Sequence, residues 1–207
     1  MKSSTKEILA ALTERYQALE CIKDSVLAAY NTIAECYKND GKLLVCGNGG
    51  SAADALHMVG ELMKTFALSR KLTQSEQVYS DYLNKNLHKA LPAISLVNEV
   101  ALMTAYANDV DAELVFAQQV YGYGKPGDIL FAISTSGNSA NVLYAAEVAK
   151  AKNMKIVSLT GQSGGKLLKL SDVSICVPEN ETYKIQELHL PVYHVLCRAL
   201  ENEFFGS

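Results

Sequence analysis

The amino-acid sequence predicts an α/β fold: a three-layer αβα sandwich around a five-stranded parallel sheet, preceded by long N-terminal helices. Three observations carry this expectation. Short apolar runs recur along the chain at Lys42–Cys46, Leu91–Val97, Asp128–Ile133, Met154–Leu159 and Val173–Val177, each of strand length. Segments with helical spacing separate them, and strands alternating with helices imply a parallel sheet covered on both faces. Two of the runs end in loops of glycine and hydroxyl residues, Gly47–Ser51 and Ser134–Ser139, and open parallel sheets bind ligands beyond the carboxyl ends of their strands.

At the N-terminus, Ser4-x-x-Glu7 has the form of a capping box. Ile8, Leu9, Leu12, Tyr16 and Leu19 follow at helical spacing. A second helical stretch carries Ile22, Val26, Leu27, Tyr30, Ile33 and Tyr37 until Asn39-Asp40-Gly41 stops it. Its apolar positions fall on more than one face, which suits a helix packed on both a core and a partner subunit; a helix that only covers the sheet fits equally. Residues 1–40 are read as a helical oligomerisation segment of a single domain spanning 1–207. Residues 67–90 have mixed charge and weak periodicity (Val78, Tyr82, Leu87) and read as a peripheral insertion with a helical piece, a lid or oligomer contact being the other reading. Glu99–Ala107 and Ala112–Tyr123 are expected helices with a turn at Asn108-Asp109, and Gly124–Gly127 punctuates the chain. Ser139 is placed to cap a helix over Ala140–Ala151. A short helix and the last strand follow, and Thr182–Phe205 forms one long helix containing Pro191.

Composition excludes several classes of partner. The formal net charge of -3 gives no electrostatic case for nucleic acid. No apolar run approaches the length needed to span a bilayer, and the first residues lack a secretory apolar region. Cys21, Cys36, Cys46, Cys176 and Cys197 are odd in number and scattered in apolar contexts, as expected of buried free thiols in a cytoplasmic protein.

The chemistry concentrates on the glycine loops. Glycines let an anion approach backbone amides closely, and the helix that follows Gly47–Ser51 presents free N–H groups and the positive end of its dipole at the same point. The second loop adds the hydroxyls of Ser134, Thr135, Ser136 and Ser139, so a phosphate can be held without lysine or arginine. Gly47-x-Gly49-x-x-Ala52 also matches a dinucleotide fingerprint, but the next strand ends at Leu96–Glu99, far beyond the usual spacing to a ribose-binding acid. No nucleotide cofactor is expected. His57 and Glu61, four residues apart, share one helix face and form a candidate acid–base or metal pair. His88 reads as a surface residue. On the last helix the spacing from Gln186 does not decide between His189 and His194 as a functional residue, and Pro191 disturbs the geometry between them.

Three motifs together resemble the sugar isomerase (SIS) domain family: Cys46-Gly47-Asn48-Gly49-Gly50-Ser51 through His57, Ile133-Ser134-Thr135-Ser136-Gly137-Asn138-Ser139-Ala140-Asn141-Val142, and Leu159-Thr160-Gly161-x-x-Gly164-Gly165-Lys166. The tail Lys184–His189 through His194 and Cys197 extends the resemblance over nearly the whole chain outside the insertion, and it is closest to the branch that isomerises heptose phosphates. The resemblance implies a flavodoxin-like sheet and a homotetramer with active sites between subunits. It implies that Asn48, Gly49, Ser51, Ser134, Thr135, Ser136, Ser139 and Gln186 bind a sugar phosphate. It places the acid–base pair on Glu61 and His194, and a zinc ion on His57, Glu61, Gln186 and His194, so choosing His194 over His189. The implied reaction is aldose–ketose isomerisation of sedoheptulose 7-phosphate through an enediol. Thr65 stands where the family usually has arginine, with Lys64 beside it; Glu99 stands for a pocket aspartate, and the insertion is longer than usual. A non-catalytic branch of the family, which binds phosphosugars or the replication initiator, is the alternative; the resemblance implies that this branch lacks the carboxylate and histidine that Glu61 and His194 supply.

Overall fold

The structure, a computed structural model, describes residues 1–206. The five apolar runs form one parallel sheet from β1 (Leu43–Cys46), β2 (Ala93–Ser95), β3 (Ile129–Ser134), β4 (Lys155–Thr160) and β5 (Val173–Cys176), in the order β2-β1-β3-β4-β5. Val45 pairs with Phe131 and Ser134 with Thr160. Strand side chains alternate between faces, so each strand feeds two cores. Leu43, Val45, Ile129, Phe131, Ile133, Val157 and Leu159 point into one, and Leu44, Cys46, Leu130, Ala132 and Ile156 into the other. That double burial is why the strands are apolar throughout.

Four helices cover the first face: α1 (Ser3–Arg15), α2 (Lys23–Lys38), α3 (Gly50–Met63) and α9 (Thr182–Phe205). The opposite face takes α5 (Val100–Tyr106), α6 (Val115–Tyr123), α7 (Ala140–Ala151) and α8 (Leu167–Leu170). The insertion holds α4 (Asp81–Asn86) and a single 3₁₀ turn at Gln74–Glu76, with no buried residue in either. Before them, Arg70 is fully buried. In α9 the helix continues through Pro191, giving up the one backbone bond that a proline nitrogen cannot donate.

Several local expectations are corrected. Ser4-x-x-Glu7 is not a capping box: α1 starts at Ser3 with Lys2 as an N-cap that makes no side-chain bond. The Ser4 hydroxyl instead accepts from Asn202 Nδ2 at 2.8 Å. A capping box does occur at Thr73–Glu76, inside the insertion. The turn expected at Asn108-Asp109 is a π-helical segment over Ala107–Asp111, continuing α5. Ser139 is the N-cap of α7, but its side chain makes no capping bond. Of the five free cysteines, Cys36, Cys46 and Cys197 are buried, whereas Cys21 is exposed, because it lies in the 3₁₀ segment Gln17–Ile22 that links the first two helices over the surface. No helix among the described residues is long and apolar enough to cross a membrane.

Candidate active site

Strand order reverses between β1 and β3, the point at which a sheet of this topology opens a crevice at its carboxyl edge. Both hydroxyl loops leave the sheet there. Gly49 adopts φ +56°, a left-handed conformation that glycine adopts without strain. At Gly50 a Cβ would stand 2.5 Å from Gln186 Nε2, so a side chain there would push the Gln186 amide aside. The bare backbone lets α9 close over the start of α3. Asn48 and Asn141 exchange amide hydrogen bonds of 2.8 and 2.9 Å, tying the loop before α3 to the first turn of α7.

These constraints shape a cavity of about 320 Å³ lined by Asn48–Ser51, Ile133–Thr135, Ser139, Thr182 and Gln186. The first residues of α3 and α9 and the N-cap of α7 all line it. Helix N-termini supply unpaired N–H donors, Ser134 Oγ lies 3.0 Å from Ser139 Oγ, and no lysine or arginine lines the cavity. Dipoles and hydroxyls, which suit an anion, make up its polar lining. Ser136 does not line it; its Oγ accepts from the Asn138 N–H at 3.1 Å and its carbonyl from Asn138 Nδ2. Thr182 is the cavity residue that sequence reasoning missed. Its only signal was its place one turn before Gln186 on the last helix.

Further along α3 the second cluster forms. His57 Nε2 lies 3.4 Å from Glu61 Oε1, and Lys64 Nζ lies 3.0 Å from Glu61 Oε2, so Lys64 places a cation on the carboxylate beside Thr65. The His57 and His194 rings meet edge to face with centroids 4.9 Å apart, and Phe66 and Tyr193 flank His194. The Tyr193 hydroxyl is 3.0 Å from His57 Nδ1. Burial, and then the neighbouring His57, hold the His194 imidazole below its ordinary pKa against the opposing pull of Glu61. His194 is therefore neutral at pH 7, and its Nε2 is buried with no hydrogen-bond partner. Burial and the nearby Asp54 raise the Tyr193 hydroxyl well above its usual value, keeping it a proton donor.

The structure separates the two histidines of α9. His189 is fully buried with neither ring nitrogen partnered, and burial lowers it to about 4; it is a neutral core residue. His194 is the one that reaches His57 and Glu61. Gln186 lies at the cavity of the two hydroxyl loops, against Gly50, rather than in the histidine cluster. Among the described residues no three His, Cys, Asp or Glu side chains close into a metal cage. His88 and Glu99 are exposed.

Sequence reasoning also missed the support beneath Glu61. Arg70 and Glu201 are both fully buried and joined at 2.7 Å. Arg70 caps the last carbonyls of α3, donating to Leu62 O at 2.6 Å and Glu61 O at 3.0 Å, while Glu201 also accepts from the N–H groups of Phe66, Ala67 and Leu68. The only sequence signal is that Glu201 follows Cys197 and Leu200 at helical spacing on the last helix.

Comparison with known proteins gives the same picture. The SIS domain family model matches residues 7–88 and 85–161. A phosphoheptose isomerase of Helicobacter pylori (strain ATCC 700392 / 26695) is 41% identical over 199 residues, covering 96% of this chain and 94% of the relative. One from Shewanella baltica (strain OS155 / ATCC BAA-1091) is 39% identical, covering 94% and 91%. Among solved structures, the phosphoheptose isomerase of Francisella tularensis superposes with a TM-score of 0.78 at 32% identity, covering 98% of this chain and 100% of that one. That of Neisseria gonorrhoeae gives 0.75 at 33% identity, covering 97% and 100%. The cradle of helix N-termini, the His57–Glu61–His194 cluster and these near full-length matches agree: the chain belongs to the SIS domain family, in its phosphoheptose isomerase branch.

Proposed function

We propose that the protein interconverts sedoheptulose 7-phosphate and D-glycero-D-manno-heptose 7-phosphate through an enediol. The observation that carries this reading is a pair of half-sites, a cavity of hydroxyls and helix N-termini suited to an anion and a Glu61 carboxylate set beside two imidazoles, which two copies of the chain would join. The phosphate is held by the hydroxyls of Ser51, Ser134, Thr135 and Ser139 and by the helix N-terminal amides. Glu61 takes the proton from C1 of the ketose and returns it to C2, a transfer that a positioned carboxylate accelerates. His194, neutral at pH 7, takes the proton of the C2–C1 hydroxyl system at one oxygen and returns it at the other, so no charge accumulates on the enediol.

A zinc ion fits the chemistry of the donors His57, Glu61 and His194, nitrogen and carboxylate oxygen being ordinary zinc ligands. The buried, partnerless His194 Nε2 supports it. When bound, such an ion polarises the sugar oxygens. Gln186 would be its fourth ligand only from a second copy, since in its own chain it lies at the phosphate cavity. Ser51 and Glu61 are ten residues apart on α3, about 15 Å along the axis, more than an extended heptose phosphate spans from C1 to phosphorus. That separation supports a site completed between subunits of a homotetramer. An apolar groove between α1 and α2, lined by Leu9, Leu12, Val26 and Leu27, supports residues 1–40 as the oligomerising segment. The five free thiols support a reducing, cytoplasmic setting.

The test is incubation of the protein with sedoheptulose 7-phosphate and with a panel of pentose and hexose phosphates, with and without zinc. Turnover of the heptose ahead of the shorter sugars is expected. No turnover of any member under either condition overturns the proposal.

A further inference from the structure

Arg70 and Glu201 join the helix that carries Glu61 to the helix that carries His194. Glu201 follows His194 on α9 by about two full turns, which returns it to the same side of the helix about 10 Å further along. From there its carboxylate accepts from Arg70 Nε at 2.7 Å and from the N–H groups of Phe66 and Ala67 at 2.8 and 2.7 Å. Arg70 spends its other donors on α3, giving Nη1–H to the Leu62 carbonyl at 2.6 Å and Nη2–H to that of Glu61 at 3.0 Å. Its guanidinium carbon also lies 5.0 Å from the ring centre of Phe205, a second hold on α9. Phe66, fixed through its backbone by Glu201, sets its ring against the His194 imidazole with centroids 5.5 Å apart. We propose that Arg70 and Glu201 are positioning residues for the proton transfers: they lock the Glu61 turn of α3 to the His194 side of α9.

A guanidinium carries its donors in a rigid planar fork, so one group holds a carboxylate and two carbonyls at once; the point charge of a lysine does not. Stability alone gives no reason for the pair, because apolar side chains of similar volume often stabilise a core as well as a buried ion pair does. What they cannot do is fix the carbonyls that end one helix from a point on another. With its charge balanced by Glu201, Arg70 acts on the place of the Glu61 carboxylate rather than on its charge. The anion cavity sits at the other end of α3, at Ser51. Among the described residues, none that lines it bonds to Arg70 or Glu201. Loosening the pair therefore leaves the grip on phosphate and impairs proton transfer, since a misplacement of about 1 Å costs about 100-fold in rate. The inference rests on the isomerase reading for what the fixed groups do, and on geometry alone for their being fixed.

The test uses the full chain below the melting range of each variant, with Arg70→Lys and Glu201→Gln, which keep hydrogen-bonding groups in the buried site. Asn202→Ala is the comparison. Asn202 adjoins Glu201, but its amide bonds Ser4 and Thr5 of α1 at 2.8 and 2.9 Å, so its loss weakens the packing of α9 without touching the tie to α3. In Arg70→Lys and Glu201→Gln, kcat is expected to fall about 10- to 100-fold with KM within about 2-fold of wild type, while Asn202→Ala keeps both. Nuclear Overhauser cross-peaks from the His194 ring to the Phe66 and His57 rings need no sugar. They are expected in wild type and Asn202→Ala, and weakened or lost in the other two variants. Arg70→Lys, which keeps the buried charge, carries these expectations alone should Glu201→Gln not fold. A wild-type kcat in the folded variants, or an equal fall in Asn202→Ala, overturns the proposal, because the pair then serves stability only. Wild-type cross-peaks in those variants overturn it as well. Loss of the cross-peaks in a protein that isomerises no sugar supports the fixing of the two groups while removing the functional reading.

Discussion

Replacing Glu201 by alanine is expected to destabilise the fold more than any single surface change. The Glu201 carboxylate is fully buried and accepts from Phe66 N at 2.8 Å, Ala67 N at 2.7 Å, Leu68 N at 3.0 Å and Arg70 Nε at 2.7 Å. Burial alone would raise its pKa, but the backbone donors and Arg70 outweigh burial and hold it below the ordinary value. Removing it leaves the Arg70 guanidinium as a buried charge without a counter-ion, which costs about 3–5 kcal/mol. The freed N–H groups lie in a partly buried loop and recover some of their bonds from water, so about 4 kcal/mol is the expected total. In a chain of 207 residues that is a fall in Tm of roughly 8–16 °C. Urea unfolding and thermal melts at fixed protein concentration measure it, the concentration mattering if subunits associate. Glu201→Gln, which keeps acceptors for the loop but not the charge, is expected to fall between. A loss under about 1 kcal/mol for Glu201→Ala, a value ordinary for an exposed ion pair, would refute the reasoning. The same pair holds the carbonyls that end α3, so the variant also loosens Glu61.

Other outcomes follow from single residues. Ser134→Ala or Ser139→Ala removes a hydroxyl from the anion cavity, and a hydrogen bond to a charged group contributes about 1.5–3 kcal/mol; steady-state kinetics should show KM for the sugar phosphate raised roughly 10- to 100-fold with an unchanged melting curve. Buried His189 is held neutral with a pKa of about 4, below the ordinary value near 6.5. As pH falls the unfolded state therefore binds a proton first, and stability drops through the window from about 6.5 to 4. His189→Met should flatten that part of the urea midpoint's pH profile, and an unaltered slope would contradict the assignment.

The sheet was legible because its strands are buried on both faces and so are written as unbroken apolar runs; Leu44 and Val45 serve opposite cores yet look alike in sequence. The two loops were legible because a close anion contact demands glycine and hydroxyls in consecutive positions. Local capping was not. Ser4 bonds Asn202, nearly two hundred residues away, and nothing in its own neighbourhood announces that. Arg70 and Glu201 escaped for the same reason, each reading as a surface charge until the chain brings them together. The spacing of His189 and His194 could not choose between them, because burial against the sheet and approach to α3 depend on how α9 packs. Gln186 was grouped with the histidines, yet it lines the cavity beside Gly50. Ser136 matched the hydroxyl pattern, but its Oγ accepts a bond within its own turn.

The central claim is that Glu61 moves a proton between neighbouring sugar carbons. Isomerisation of sedoheptulose 7-phosphate in heavy water tests it directly, because a carboxylate that takes a proton can exchange it with solvent before returning it. The account predicts aldose carrying deuterium at C2 from the wild-type protein, and a rate at least about 100-fold lower from Glu61→Gln. Wild-type turnover and deuterium incorporation surviving in Glu61→Gln would contradict it.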